Sequence, residues 1–361
     1  MADQQNASLV VGGVDTHKDL HVAAIVDHQG RVLGTNSFAT TRQGYRLMLA
    51  WMWSFGDLQR VGIDGSGSYG AGLLRYMQNA GVEVREVIGL DKHDRRRRGK
   101  NDDFDAESAA HAVFAKRHTV TPRSHDGMVE SLRVLRVCRK SAVQARRVAL
   151  QMIQMSIVCA PYKLREPLRN MTRMPLIRAL AAWQHDLTAY REVEEAYRIS
   201  LKSLARRYLA LHDEIADLDD MISAIVKALA PELLEQAATG LNSAAQLLLT
   251  EGDNPERLKS EASFAALCGV GPVPASSGKI IRHQLNRGGD RAANSAIHII
   301  AIGRLRLDPC TQSYVAKRIA AEDSKMEAIR SLKRYIAREV FDIIKRRQKN
   351  RSISRKSQID T

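Results

Sequence analysis

Apolar residues in the first third of the chain form short runs separated by helical patterns. The runs predict strands at residues 9–15, 21–26, 31–38, 60–64 and 82–88. Leu47, Trp51 and Phe55 are spaced four apart, which is typical of one helical face, and residues 70–79 predict a second helix. A third helix is expected to begin near Asp102. Strands that alternate with helices indicate an α/β fold in this part of the chain.

The middle of the chain has longer helical patterns. Residues 128–158 are basic and helical in pattern, and three prolines then interrupt the chain between residues 161 and 175. An unbroken three-four spacing follows at Leu201, Leu204, Tyr208, Leu211, Ile215, Leu218, Ile222, Ile225 and Leu229. Such a seam is typical of a coiled coil or a long bundle helix. We interpret it as an oligomer contact, and the alternative is that it pairs with residues 128–158 of the same chain.

The last third is predicted to be mainly helical. Helices are expected at residues 264–268 and from about Arg291, and a loop rich in Gly, Pro and Ser at residues 269–278 follows the first of them. The final residues form a strongly basic tail that we expect to fray.

The net charge narrows the class of partner. The 361 residues have room for two or three domains, and 44% of them are hydrophobic, which is enough for a packed core. A formal charge of +15 favours a polyanionic partner, nucleic acid before membrane.

No run approaches the roughly 18 apolar residues that span a bilayer, and no secretory signal pattern is present at the start. Four scattered cysteines without a CxxC pair favour a cytoplasmic protein.

Four aspartates stand where strands end or a helix begins. Asp15 and Asp64 each end a predicted strand, and Asp102 and Asp105 share one face of the helix that follows. In an RNase H-like sheet, which opens with a three-strand meander, the first and fourth strands are neighbours, so Asp15 and Asp64 would be adjacent. Carboxylates that close repel one another unless cations lie between them, and Mg²⁺ is the expected cation. Two ions about 4 Å apart can stabilise the attacking and leaving oxygens of a phosphodiester exchange.

Two clusters of basic residues lie close in sequence to candidate catalytic residues. Ser276 and Ser277 occupy a glycine-bordered loop, and a serine flanked by cations suits a nucleophile, although an ordinary loop has the same composition. The cations that follow this loop are also predicted to bind nucleic acid, and they are Lys279, Arg282, Arg287 and Arg291. A second group directly precedes Asp102, and we interpret it as a contact with a phosphate backbone rather than a solvated face. Its members are Arg95, Arg96, Arg97, Arg98 and Lys100.

Together these residues resemble one family, the DEDD transposases of bacterial insertion sequences of the one-ten type, relatives of the pilin-gene invertase. The matching segments are residues 11–18, 61–64, 100–106, 264–272 and 276–278, followed by Arg287–Asp290 and Asn294. Their order and spacing extend the resemblance over nearly the whole chain.

The resemblance implies an α/β plus α architecture in four parts. These are a RuvC-like DEDD catalytic domain at 1–125, a helical coiled-coil region at 126–230, a C-terminal transposase domain at 231–345 and a basic tail at 346–361. It implies Mg²⁺-dependent DNA strand cleavage and exchange, with a nucleophilic serine in the C-terminal domain. The catalytic metal ligands would be Asp15, Asp64, Asp102 and Asp105. The implied partners are DNA, a structured guide RNA from the element's own non-coding end, and further copies of the chain in a dimer or tetramer.

Two details of the family pattern bear on the site. Family members usually have Glu where this chain has Asp64, and the shorter side chain reaches less far. Members with a single serine keep the one before glycine, so Ser277 is preferred over Ser276 as the nucleophile. Two alternatives stay open: a RuvC-like Holliday-junction nuclease that uses water, and a non-catalytic nucleic-acid-binding protein with the same fold.

Overall fold

The chain divides into two compact units. The computed structural model describes residues 8–88, 101–117, 119–123, 125–252, 258–275, 283–284, 286–321 and 324–359. One unit comprises Met1–Asp126 with Gly252–Arg257, and the other comprises Gly127–Glu251 with Leu258–Thr361. The finer boundaries expected at residues 230 and 345 stay predictions.

A six-stranded mixed sheet forms the centre of the first unit. Its strands are β1 (Leu9–Thr16), β2 (Leu20–Val26), β3 (Val32–Ala39), β4 (Asp57–Asp64), β5 (Val84–Val87) and β6 (Thr119–Val120). Their order across the sheet is β3-β2-β1-β4-β5-β6. Strands β1, β4 and β5 run parallel, β2 runs antiparallel to β1 and β3, and β6 runs antiparallel to β5. The five predicted strands are all present, and the two-residue β6 is an addition.

Helices cover both faces of this sheet. Helices α1 (Arg42–Trp53) and α2 (Ala71–Asn79) pack on one face, and α3 (Asp102–Phe114) packs on β1, β2 and β4. Because side chains alternate along a strand, Val14 and Ile63 join the core beneath α1 and α2. The residues that follow them, Asp15 and Asp64, belong to the opposite alternation, the one that faces α3.

Glycines bring α3 very close to the sheet. A Cβ atom on Gly13 would lie 2.1 Å from the backbone nitrogen of Ala110 and 2.3 Å from the carbonyl oxygen of Ala106. A Cβ atom on Gly62 would lie 2.5 Å from the side chain of Val113. The small residues therefore let the helix backbone rest on β1 and β4, and this contact fixes where the first turn of α3 lies.

Two long helices begin the second unit. They are α4 (Gly127–Cys159) and α7 (Val193–Leu229), and the short helices α5 (Tyr162–Arg165) and α6 (Arg173–Ala182) lie between them in sequence. Helices α4 and α7 run antiparallel, because Arg139 pairs with Asp219 whereas the later Arg146 contacts the earlier His212.

The predicted seam of α7 packs within this chain. Its nine members are buried or half-buried, and Leu201 and Tyr208 share a core cluster with Ala149 and Ile153 of α4. The structure therefore describes the alternative in which the seam pairs with residues 128–158. Our interpretation of the seam as an oligomer contact is corrected, because a surface covered by the chain's own helix is not free for a second copy. The oligomeric state itself stays a prediction.

Further helices complete the second unit. They are α8 (Pro231–Glu235), α9 (Leu241–Glu251), α10 (Glu261–Leu267), α11 (Arg291–Leu307), α12 (Pro309–Ala320) and the longer α13 (Lys325–Ile359). A two-stranded pairing joins β7 (Val273–Pro274) to β8 (His283–Gln284). The core between the helices includes Phe264, Ile297, Ile300 and Ile336. The expected basic tail continues α13 as far as Ile359, and none of the described helices has the length and apolarity that a bilayer span needs.

Candidate metal centre

Asp15 and Asp64 are direct neighbours in the sheet. They are register partners at the carboxyl ends of the parallel strands β1 and β4. Thr16 strengthens this junction, since its hydroxyl donates a 2.7 Å hydrogen bond to the carbonyl oxygen of Asp64. Neighbouring strands lie about 4.8 Å apart, so both carboxylates belong to one small area on the α3 face.

The first turn of α3 brings further acids to the same edge. Asn101 caps the helix, because its side chain accepts a hydrogen bond from the backbone N–H of Asp103. Asp102 and Asp105 lie in this turn, where the positive end of the helix dipole favours carboxylates. Asp102 is half-exposed, whereas Asp105 is only 2% exposed.

His17 joins two of these acids. Its Nε2 lies 3.1 Å from Oδ2 of Asp15 and 3.4 Å from Oδ2 of Asp102. The ligand atoms of these three side chains all lie within 4.8 Å of one another. We did not predict His17 from the sequence. It follows directly after the end of β1, outside the alternation of the strand, so strand periodicity gave no signal for it.

The electrostatics of the cluster suit a cation. Burial raises the pKa of Asp15, and the negative charges of Asp105, Asp64 and Asp102 raise it further against the opposing effect of His17. Oδ2 of Asp15 and Nε2 of His17 are both buried, and although they lie 3.1 Å apart, neither makes a hydrogen bond of good geometry within the described part of the chain. A divalent ion would relieve both the repulsion and the missing contacts, and carboxylate oxygens with an imidazole nitrogen are suitable donors. The residues present therefore fit a metal.

The other predicted site residues divide between described and undescribed segments. Arg287 and Arg291 are exposed and line a cleft of the second unit. The remainder lie outside the described residues, namely Ser276, Ser277, Lys279, Arg282, Arg95, Arg96, Arg97, Arg98 and Lys100. The catalytic and binding roles of all these residues stay predictions.

Comparison with known proteins places the chain in a family. A transposase family model for DEDD enzymes of IS110 elements matches residues 12–155, which contain all four predicted acids and His17. A second model, of the transposase IS116/IS110/IS902 family, matches residues 231–316, and the two together cover more than half of the chain. A 43.6 kDa protein of insertion element IS110 from Streptomyces coelicolor is 29% identical over 150 residues, which are 41% of this chain and 37% of that relative. The chain belongs to the IS110-type transposase family.

Proposed function

We propose that this protein is the DNA transposase of an insertion sequence, a recombinase that cuts and rejoins DNA strands with the help of a divalent metal. The observation that carries the proposal is the parallel register of Asp15 with Asp64 beneath the acidic first turn of α3. Strand order β3-β2-β1-β4-β5, with β2 antiparallel, supports an RNase H-like, RuvC-like interpretation of the first unit. The net charge of +15 supports a nucleic-acid substrate.

The metal would be Mg²⁺, and two ions would suit the number of carboxylates. Asp15, Asp64, Asp102 and Asp105 would hold them, and His17 lies close enough to serve as a further ligand or to pair with the acids when no metal is bound. When bound, the ions would offset the negative charge that develops on the phosphate oxygens. The carboxylates of this chain would hold the ions in place.

Ser277 is the proposed nucleophile. Its Oγ would form a bond to phosphorus while the bond from phosphorus to one strand end breaks, and the departing oxygen would leave as a hydroxyl with the proton that the serine loses. A free hydroxyl of another DNA end would then attack the phosphoserine and release the enzyme. The proposal also includes a structured guide RNA, a dimer or tetramer of the chain and a cytoplasmic location. These three parts rest on the family.

The acids are tested with two variants of the same helical turn. Asp102→Asn should abolish Mg²⁺-dependent recombination in an assay with element ends and target DNA, while far-UV circular dichroism stays unchanged. Asp103→Asn is the matched control, because Asp103 is exposed and lies outside the ligand cluster. Wild-type activity of Asp102→Asn, or equal loss in both variants, would refute the metal site.

The serine is tested by trapping the covalent intermediate. Ser277→Ala should still bind DNA but should form no adduct that survives denaturing gel electrophoresis. Ser276→Ala is the control and should keep the adduct. Cleavage by Ser277→Ala at the wild-type rate would favour the water-using junction nuclease, and absence of Mg²⁺-dependent cleavage by the wild type would favour a binding protein.

A further inference from the structure

A basic cleft in the second unit lies apart from the four acids. It has a volume of about 1000 Å³ and is lined by the loop before β7, the start of α11 and the first turns of α13. Two of its lining residues, Pro272 and Gln284, flank in sequence the segment that contains Ser277. Among the described residues that line it, the acid is Glu327 and the cations are Arg287, Arg291, Arg318, Arg330, Lys333, Arg334 and Arg338.

Lys333 is held in place by a chain of hydrogen bonds. The side-chain amide nitrogen of Asn294 donates to the carbonyl oxygens of Cys268 and Gly269 at 3.0 and 2.9 Å. These two bonds fix the orientation of the amide and direct its oxygen, Oδ1, to Lys333. The Nζ of Lys333 donates to that oxygen at 2.6 Å. These hydrogen bonds hold the ammonium group of Lys333 at the cleft in the absence of a ligand.

Among the residues that the structure describes, Lys333 has no carboxylate as an ion-pair partner. Arg334 and Arg338 are paired with Glu261, whereas Lys333, Arg287 and Arg291 take part in no ion pair among the described residues. Lys333 is half-buried, and burial lowers its pKa. An unbalanced cation that has lost part of its hydration is stabilised by an anion, and an ammonium group is a good point-charge ligand for phosphate.

An aromatic ring stands at the same cleft. Tyr335 is 48% exposed and meets Tyr314 edge to face, with ring centroids 5.5 Å apart. The guanidinium of Arg338 lies over the Tyr335 ring at 5.7 Å from its centroid. Exposed aromatic rings next to cations are the combination with which proteins bind unpaired nucleotides, since bases stack on the ring and phosphates meet the charges. The bases of a duplex are already stacked on one another and are not free to stack on this ring.

We propose that this cleft binds an unpaired segment of nucleic acid, with a backbone phosphate on Lys333, Arg287 and Arg291 and a base stacked on Tyr335. Asn294 is a positioning residue that aims Lys333. The inference rests on the proposed function for the class of ligand, and it adds a second binding site to the four acids. DNA and RNA strands share the phosphodiester that the cleft recognises, so the test includes both.

The experiment measures binding of fluorescent single-stranded 12-nucleotide probes, one of DNA and one of RNA, to the full chain at several salt concentrations. Lys333→Gln should weaken binding about tenfold and reduce the slope of log K against log salt by about 0.7, the value for one phosphate contact on a single strand. Lys333→Arg should recover most of the affinity. Asn294→Ala should lower both affinity and slope, because a lysine without its acceptor is no longer aimed. Lys227→Gln, which removes an exposed lysine of α7 outside the cleft, is the matched control.

Exposed variants keep the test independent of folding. Tyr335→Ala should weaken binding with an unchanged salt slope, and the double variant Arg287→Gln, Arg291→Gln should reduce the slope by more than Lys333→Gln does. Equal losses for Lys333→Gln and Lys227→Gln, or tighter binding of a duplex than of either strand, would overturn the proposal. A preference for the ribose probe identifies the strand as RNA, and the reverse preference identifies it as DNA. Asp102→Asn should bind the probes normally, so loss of recombination and loss of cleft binding are separable.

Discussion

Asp15 and Asp64 are register partners at the carboxyl ends of β1 and β4, so their side chains leave neighbouring backbone positions. If the two carboxylates share an ion, as proposed, they approach it from these neighbouring positions, and the missing methylene of Asp64 is a small part of the distance that must be covered. Position 64 is held further by the hydrogen bond from Thr16 to its carbonyl oxygen. Asp64 is thus supported as a ligand by its place in the sheet.

The first prediction concerns metal binding itself. Addition of Mg²⁺ at 100 times its dissociation constant should stabilise the wild-type protein by about 2.7 kcal/mol, which is seen as a rise in Tm. Asp64→Asn should lose most of this rise, because a neutral amide neither repels Asp15 nor attracts the ion. Asp64→Glu should retain it. An equal Mg²⁺-induced rise in Asp64→Asn would remove Asp64 from the ligand set, and Ca²⁺ serves as the check on ion selectivity.

A second prediction tests the close approach of α3 to β1. Gly13→Ala should lower the free energy of unfolding by roughly 3 kcal/mol, since its methyl group meets backbone atoms of α3 that have no room to withdraw. The displaced helix should also weaken Mg²⁺ binding, because Asp102 and Asp105 move with it. Gly67→Ala is the control, as its nearest neighbour is a His125 side chain at 3.5 Å, an ordinary contact. Urea titration compares the two, and similar stabilities would contradict the tight packing.

The third prediction separates intrachain packing of α7 from an oligomer contact. Ile222 is fully buried, and Ile222→Ala should cost about 2–5 kcal/mol of stability by leaving a cavity. Its neighbour Met221 is 46% exposed, and Met221→Ala should change stability by less than about 0.5 kcal/mol. Light scattering should give the wild-type mass for both variants. A lower mass for Ile222→Ala with normal helix content would restore the oligomer interpretation.

The sequence predicted features that depend on short segments of the chain better than features that depend on contacts between distant residues. The strands followed from short apolar runs, which are properties of short segments, whereas the place of Asp15 beside Asp64 followed from the strand order expected of an RNase H-like sheet. His17 was missed because its contact with Asp102 joins residues 85 positions apart, and no local pattern marks such a pair. The partner of the α7 seam was ambiguous for a related reason. A three-four spacing specifies a helical partner, but it does not say whether that helix belongs to the same chain.

The last prediction uses a buried histidine on β2. His21 is fully buried and stacks on Tyr45 with ring centroids 5.8 Å apart. Burial, together with the nearby charge of His17, lowers its pKa from 6.5 to about 4. Between these two values the unfolded chain binds more protons than the folded chain, so this group makes the protein less stable as the pH falls from 6.5 to 4 and has no effect above that range.

The variant His21→Phe isolates this contribution. Phenylalanine keeps a ring against Tyr45 and cannot be protonated, so the loss of stability between pH 7 and pH 4.5 should shrink relative to the wild type by up to about 1.4 kcal/mol per pH unit. His28→Gln is the control, since it removes an exposed histidine. Urea unfolding at half-unit pH steps measures all three proteins. A pH dependence of His21→Phe identical to that of the wild type would show that His21 is protonated as easily in the folded chain as in the unfolded one, and that its burial does not govern its charge.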